Sequence, residues 1–180
     1  MAVNAMTDTV APDRHWVIEA VERYEGSLTL YAARLLGDTD RARDVVQDAF
    51  LKLCGQSPAE LHGRMAEWLF TVCRNRALDI LRKERRMNIL SDEQAAGCAS
   101  SEHDPAESLE LRDSSAKVMD VLETLPPNQR EVIRLKFQNG FSYREISRIS
   151  GHTVSNVGFL IHTGMKTLRQ RLAVRLPAEA

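Results

Sequence analysis

WLFTVCRNRALDILRKERR, residues Trp68 to Arg86, decides how the chain folds. Met65, Trp68, Leu69, Val72, Cys73, Ile80 and Leu81 recur at three- and four-residue steps, the apolar stripe of an amphipathic helix. Asn75, Asp79, Arg82 and Arg86 step by four, three and four, so they share another side of the same helix. Arg74, Arg76, Lys83 and Arg85 flank that stripe. From Arg64 to Arg86 there are seven Lys/Arg and three Asp/Glu, a local charge of +4. Guanidinium groups grip phosphates bidentately and an amide reads a base edge, so this face suits nucleic acid. A solvated charged face on an ordinary core helix fits the stripe equally well, and the choice falls to the rest of the chain.

Across 180 residues the net charge is −1, so nucleic-acid binding must rest on segregated charge. The charge is segregated. Ser91 to Asp113 carries seven acids and one arginine, whereas Asn128 to Leu172 carries eight Lys/Arg and two Glu. No apolar run approaches the roughly 18 residues of a membrane span. MAVNAMTDTVAPDRH lacks a basic start followed by an apolar run, so it does not read as a signal peptide. A cytoplasmic setting without membrane insertion is expected. Cys54 and Cys73 fall on apolar helix faces and read as buried thiols, and no pair among Cys54, Cys73 and Cys98 has metal-ligand spacing. The five histidines do not cluster with acids or cysteines, so no metal and no cofactor are expected. With no phosphate loop, paired catalytic carboxylates or nucleophile motif, the chain does not read as an enzyme.

The pattern is all-α: two small helical domains joined by a flexible acidic linker. Residues 1–12 read as a disordered tail and 13–88 as the first domain. Its opening helix runs from Pro12 to Leu36, with Gly37 as its stop. A second helix starts at Asp38 or Thr39, ends at Gly55, and has Ala42, Val45, Val46, Ala49, Phe50 and Leu53 on its core face. Asp44, Gln47, Asp48 and Leu51 line its outer face, where a leucine among acids suggests a partner surface. Residues 89–108 form the linker, read as a solubilising tether or as a nucleic-acid mimic that occupies a basic channel. Residues 109–175 form the second domain. Pro126-Pro127 separates its first two helices, and Val132, Ile133, Leu135 and Phe137 are apolar in the second. Ser142 to Glu145 is a capping-box pattern opening a short helix with Tyr143, Ile146 and Ile149 inward. Gly151 makes the turn into a last helix, Thr153 to Leu172, with Val154, Val157, Ile161, Met165, Leu168 and Leu172 as its core stripe. A short helix, a glycine-containing turn and a longer helix make a helix-turn-helix.

At this point the residues resemble a known family: sigma factors of bacterial RNA polymerase, in the small extracytoplasmic-function (ECF) branch. The resemblance rests on RLLGDTDRARDVVQDAFLKL, WLFTVCRNRALDILRKERR, LPPNQREVIRLKFQNGFSYREISRISG and MKTLRQRL, in the family's order and spacing, over about residues 20 to 173. It implies a sigma region 2 bundle followed by a region 4 helix-turn-helix. It also implies a non-enzymatic factor whose partners are core RNA polymerase, promoter DNA and an anti-sigma factor. Asp44, Gln47, Asp48 and Leu51 would dock on the clamp coiled coil of the polymerase's largest subunit. Arg74, Asn75, Arg76, Asp79, Arg82, Lys83, Arg85 and Arg86 would hold the melted −10 element, the cations on phosphates and the amide or acid on a base edge. The loop Leu61 to Arg64 would form part of a base pocket. Trp68 and Phe70 are stacking candidates, Trp68 at least partly core. In the −35 element, Ser155, Asn156, Phe159 and His162 would face the major groove, with Arg144, Arg148, Lys166 and Arg169 on phosphates.

The sequence departs from the family in VSNVGFLIHTGM, where Gly158, Leu160, Thr163 and Met165 stand at positions commonly basic. Gly158 and Gly164 each weaken a helix by about 1 kcal/mol relative to alanine. Fewer cations imply a weaker, less salt-sensitive grip. Two other readings stand beside this one, the first motivated by that departure. One is a decoy that mimics a sigma factor to bind an anti-sigma factor without starting transcription. The other is a free-standing helix-turn-helix repressor.

Overall fold

The computed structural model describes residues 15–90 and 109–175, with side-chain environments for 15–87 and 116–173. The expected tail, 1–12, lies outside the described residues, as does the expected linker beyond its first two positions, 89 and 90, which continue a helix. Seven helices are described: α1 (His15–Leu36), α2 (Thr39–Leu53), α3 (Met65–Leu90), α4 (Leu109–Glu123), α5 (Pro127–Phe137), α6 (Tyr143–Ser150) and α7 (Val154–Arg175). No helix among the described residues is long and apolar enough to cross a membrane.

Local chemistry sets the helix ends. Gly37 ends α1 at φ +72°, a left-handed conformation that glycine adopts without strain. Asp38 then caps α2, its carboxylate accepting from the Asp40 and Arg41 backbone N–H groups at 2.9 and 3.0 Å. In α6 both halves of the capping box form: the Glu145 N–H donates to Ser142 Oγ, and the Ser142 N–H donates to a Glu145 oxygen at 2.7 Å. The Ser142 side chain first, and its backbone N–H next, hold the Glu145 carboxyl below its ordinary value. Gly151 makes the turn after α6 at φ +75°.

α1, α2 and α3 form an N-terminal bundle around Leu28, Val45, Leu53 and Leu69. α4 to α7 form a C-terminal bundle. Within it, Val121, Leu122, Leu125, Ile133 and Leu168 make a small cluster of their own. The larger core does not stop at the bundle boundary. It runs from Leu28 and Phe70 into Val132, Leu135, Phe141, Ile146 and Val157, so the two bundles share one apolar seam. Phe70 is its keystone. Its ring lies 5.1 Å from Tyr31 on its own side and 5.0 Å from Phe141 across the seam, the latter edge-on at 76°.

Several expectations change here. Phe70 is core at 2% exposed, not a stacking platform, because α3 turns Phe70 and Ala77 inward along with Leu69 and Cys73. Trp68 packs on the core while partly exposed. Tyr143 and Val154, expected inward, are exposed, as is the apolar Phe137. Each is the first or last residue of its helix, where the apolar stripe has no flanking turn beyond it. Cys54 sits just past the end of α2 and is exposed, whereas Cys73 is buried. Burial pushes the Cys73 thiol up to about 12.

Candidate nucleic-acid interface

The outer face of α2 is built as its stripe implies. Asp44 and Gln47 are exposed, and Leu51 is 65% exposed. Asp48 is half-buried because Arg76 Nε of α3 donates to its Oδ2 at 2.9 Å. Asp48, Leu51 and Lys52 of α2 line one groove with Asn75, Arg76 and Asp79 of α3. The structure thus brings the acid-and-leucine stripe and the arginine stripe side by side.

Along α3, Asn75, Arg76, Asp79, Arg82, Lys83, Arg85 and Arg86 are all exposed. Several are engaged within the helix or with α2. Arg82 donates to Asp79 at 3.0 Å, and Glu84 is paired with Arg41. Lys83, Arg85 and Arg86 have no ion-pair partner among the described residues. In the preceding loop Leu61 is buried, while His62, Gly63 and Arg64 face solvent.

Arg74 differs from the rest of its ladder. It points into the seam, where its Nε and Nη2 donate to the two oxygens of Glu131 on α5 at 2.7 and 3.3 Å. Tyr31 Oη donates to the same carboxylate at 2.7 Å. Burial first, and Glu131 next, hold the Tyr31 hydroxyl well above its ordinary value, so it remains a donor. Burial works against the Arg74 charge, but the bond and charge of Glu131 outweigh it and Arg74 binds its proton more tightly than usual.

On the C-terminal bundle, Ser155, Asn156, Phe159, His162, Lys166 and Arg169 are exposed along α7, and Arg144 is exposed on α6. Phe159 is 65% exposed. The Thr153 hydroxyl accepts from the Asn156 N–H at 3.2 Å and so caps the N-terminus of α7. His162, Lys166 and Arg169 line a second groove with Tyr143. Arg148 does not join them. Its Nε and Nη2 donate to both oxygens of Glu67 on α3, each at 2.6 Å, and its pKa rises through that bond.

The two glycines of α7 sit differently. A Cβ on Gly158 would meet Tyr143 at 3.6 Å, ordinary contact. A Cβ on Gly164 would fall 2.6 Å from Ile133 Cδ1, so glycine permits the close approach of α5 and α7 there.

Glu67 and Glu131 carry the seam together with Tyr31, and neither glutamate was singled out by sequence. Glu67 is only 8% exposed. In a helix's first turn an acid is favoured by the helix dipole alone, which masks any further role. Among the described residues no group of His, Cys, Asp and Glu could hold a metal ion.

With this geometry in view, the comparisons with known proteins agree across both bundles. The family described as Sigma-70 region 2 matches residues 20–87, and that described as Sigma-70, region 4 matches residues 115–168. The ECF RNA polymerase sigma factor EcfG of Rhodopseudomonas palustris is 30% identical over 170 residues, covering 94% of this chain and 88% of that protein. The ECF RNA polymerase sigma factor SigL of Mycobacterium tuberculosis is 30% identical over 155 residues, covering 84% of this chain and 85% of that protein. Among solved structures, the sigma factor RpoE of Bartonella quintana, crystallised with the anti-sigma factor NepR, superposes with a TM-score of 0.73 at 26% identity. That match covers 89% of this chain and 98% of the RpoE chain. The chain belongs to the ECF sigma factors of RNA polymerase, transcription factors rather than enzymes.

Proposed function

We propose that the chain is a promoter-specificity subunit that docks on core RNA polymerase, melts the −10 element and reads the −35 element. Asp44, Gln47, Asp48 and Leu51 meet the polymerase clamp. Asn75, Asp79 and the cations from Arg74 to Arg86 hold the opened strand. Ser155, Asn156, Phe159 and His162 face the upstream duplex, with Arg144, Arg148, Lys166 and Arg169 on its phosphates. The observation that carries this reading is the shared groove of α2 and α3, which sets a candidate protein-docking stripe directly against a candidate strand-holding stripe. A factor that must touch polymerase and melted DNA together needs that adjacency.

Arg76 and Arg82 are paired within the first bundle, and two other proposed phosphate ligands are engaged across the seam. Arg74 is on Glu131 and Arg148 is on Glu67, each across the seam. Carboxylates there occupy positions that phosphates would take, so full contact with DNA requires the bundles to part. The closed form is therefore the resting form, and docking on polymerase opens it. An anti-sigma factor that holds the closed form is the natural partner, since the Bartonella quintana relative was solved with one. The site of action is the cytoplasm, where polymerase and promoter are.

The test is transcription of fragmented genomic DNA by core polymerase with and without the protein, with transcript starts sequenced. Discrete new starts sharing upstream motifs are expected, and Asp48→Lys should abolish both the starts and polymerase binding. Polymerase binding unchanged by that substitution would remove the clamp assignment. Tight binding to a duplex without polymerase would favour the repressor. The decoy is not favoured by the relatives, and new starts would exclude it.

A further inference from the structure

The seam between the bundles is complementary at two places and mismatched at a third. Glu131 answers Arg74, and Glu67 answers Arg148. At the third place the charge of Arg34 on α1 acts on Arg134 of α5, which also feels Arg130 one turn before it, so cation faces cation across the seam. The acid whose charge reaches both Arg34 and Arg134 is Glu123, the last residue of α4. Glu123 accepts from Arg130 and from Arg134. Arg34 donates to the neutral side chain of Gln138. Two guanidinium groups thus share one carboxylate, and Arg34 feels its charge without bonding to it.

Arg134 is 6% exposed, which makes the imbalance costly. Burial first, and then the Arg34 charge, press its affinity for a proton down to about 10. Two further donors lie in the cluster: the buried Nε–H groups of Arg130 and Arg134 find no hydrogen-bond partner among the described residues. A buried donor without an acceptor calls for one, and water or an ion is the usual answer. Water would satisfy the N–H groups but leave the charge.

We propose that this third place is a binding site for a small phosphate-type dianion, held by Arg34 from one bundle and by Arg130 and Arg134 from the other. The chemistry fits on two counts. Among the described residues, three cations against one carboxylate leave an excess of two charges, which one doubly charged anion neutralises. Guanidinium forks match the oxygens of phosphate in pairs, and several forks can share one tetrahedral anion. Because its ligands come from α1 and α5, the anion ties the bundles together and favours the closed form. The same chemistry exists in a DNA backbone, but a phosphate within a duplex cannot reach a residue as buried as Arg134 while the seam is closed.

Inorganic phosphate is the probe, titrated calorimetrically into the full chain at constant ionic strength held by chloride. Saturable one-site binding is expected, together with a rise in Tm that saturates over the same range. Arg34→Gln removes one charge-assisted contact from a partly exposed side chain and should weaken phosphate binding about tenfold. Arg130→Lys, which keeps the charge and loses the fork, should weaken it less. No saturable binding, or the same affinity in Arg34→Gln, overturns the site. Displacement of the phosphate by a short duplex overturns the small-anion assignment and points to a backbone phosphate instead. The titration needs neither polymerase nor promoter, so it stands apart from the sigma-factor reading.

Discussion

α3 and α7 are the two helices proposed to touch DNA, and they solve opposite problems. α3 is dense in cations, but its first half has few to spare: Arg74 lies on Glu131 and Arg76 on Asp48, with Arg82 on Asp79 in the second half. Lys83, Arg85 and Arg86 are its cations with no ion-pair partner among the described residues. α7 is thin in cations, yet Lys166 and Arg169 have no ion-pair partner among the described residues, and its base-facing side chains are open to solvent. Counting positive charge along a sequence therefore ranks α3 far above α7, while availability in the closed form narrows the gap. Electrostatic reach is set by what each cation already faces.

The sharpest way to break this contrast is to open the seam. Phe70→Ala removes the ring that joins the bundles through Tyr31 and Phe141, and should cost about 3–5 kcal/mol, read as a lower midpoint in denaturant unfolding. Glu131→Ala comes next, at about 3 kcal/mol, since it strands the Arg74 charge and the Tyr31 hydroxyl in a buried place. In the same variant, DNA affinity of the free protein should rise, because Arg74 is released. A fall in affinity would mean the closed form is not what limits contact.

Smaller changes sharpen it. Ser142→Ala should cost about 1 kcal/mol at neutral pH by removing one half of the capping box. The folded state holds the Glu145 carboxyl below its ordinary value, so that stabilisation is present above the unfolded value and lost as pH falls through the folded one. The cost of Ser142→Ala should accordingly shrink in acid, as thermal melts across pH would report. Least in energy is the loss of one phosphate contact. Arg86→Ala should lower the slope of log affinity against log salt by about one. Arg74→Ala should leave that slope unchanged in the free protein and lower it only in the polymerase-bound form.

Much of the fold was legible because its signals are local. The Asp38 cap, the Gly37 stop, the Ser142–Glu145 box and the Gly151 turn each lie within a few residues of what they govern, and the structure contains all four. The inward stripe of α2 was equally clear. The seam was not legible. Its bonds join Glu131 to Arg74 across 57 positions and Glu67 to Arg148 across 81. Periodicity tells which side of a helix is apolar, not which other helix it meets. A lone glutamate on such a helix reads as solvated until its partner is seen. Tyr143 and Val154 went astray for the converse reason: a stripe drawn through a helix end assigns burial where no neighbour remains. The exposed proposed sites on α2, α3 and α7 came from pattern and resemblance together. The diversion of Arg74 and Arg148 into the seam came from neither.

The close approach at Gly164 has an evolutionary corollary. Alanine at Gly158 meets only ordinary contact, so that position is free to drift toward better helix formers. Alanine at Gly164 meets Ile133, so gaining helical propensity there demands a concession on α5. Descendants of this sequence that carry a larger residue at 164 should carry a shorter one at 133, a pairwise signature inherited as a unit, while 158 varies alone.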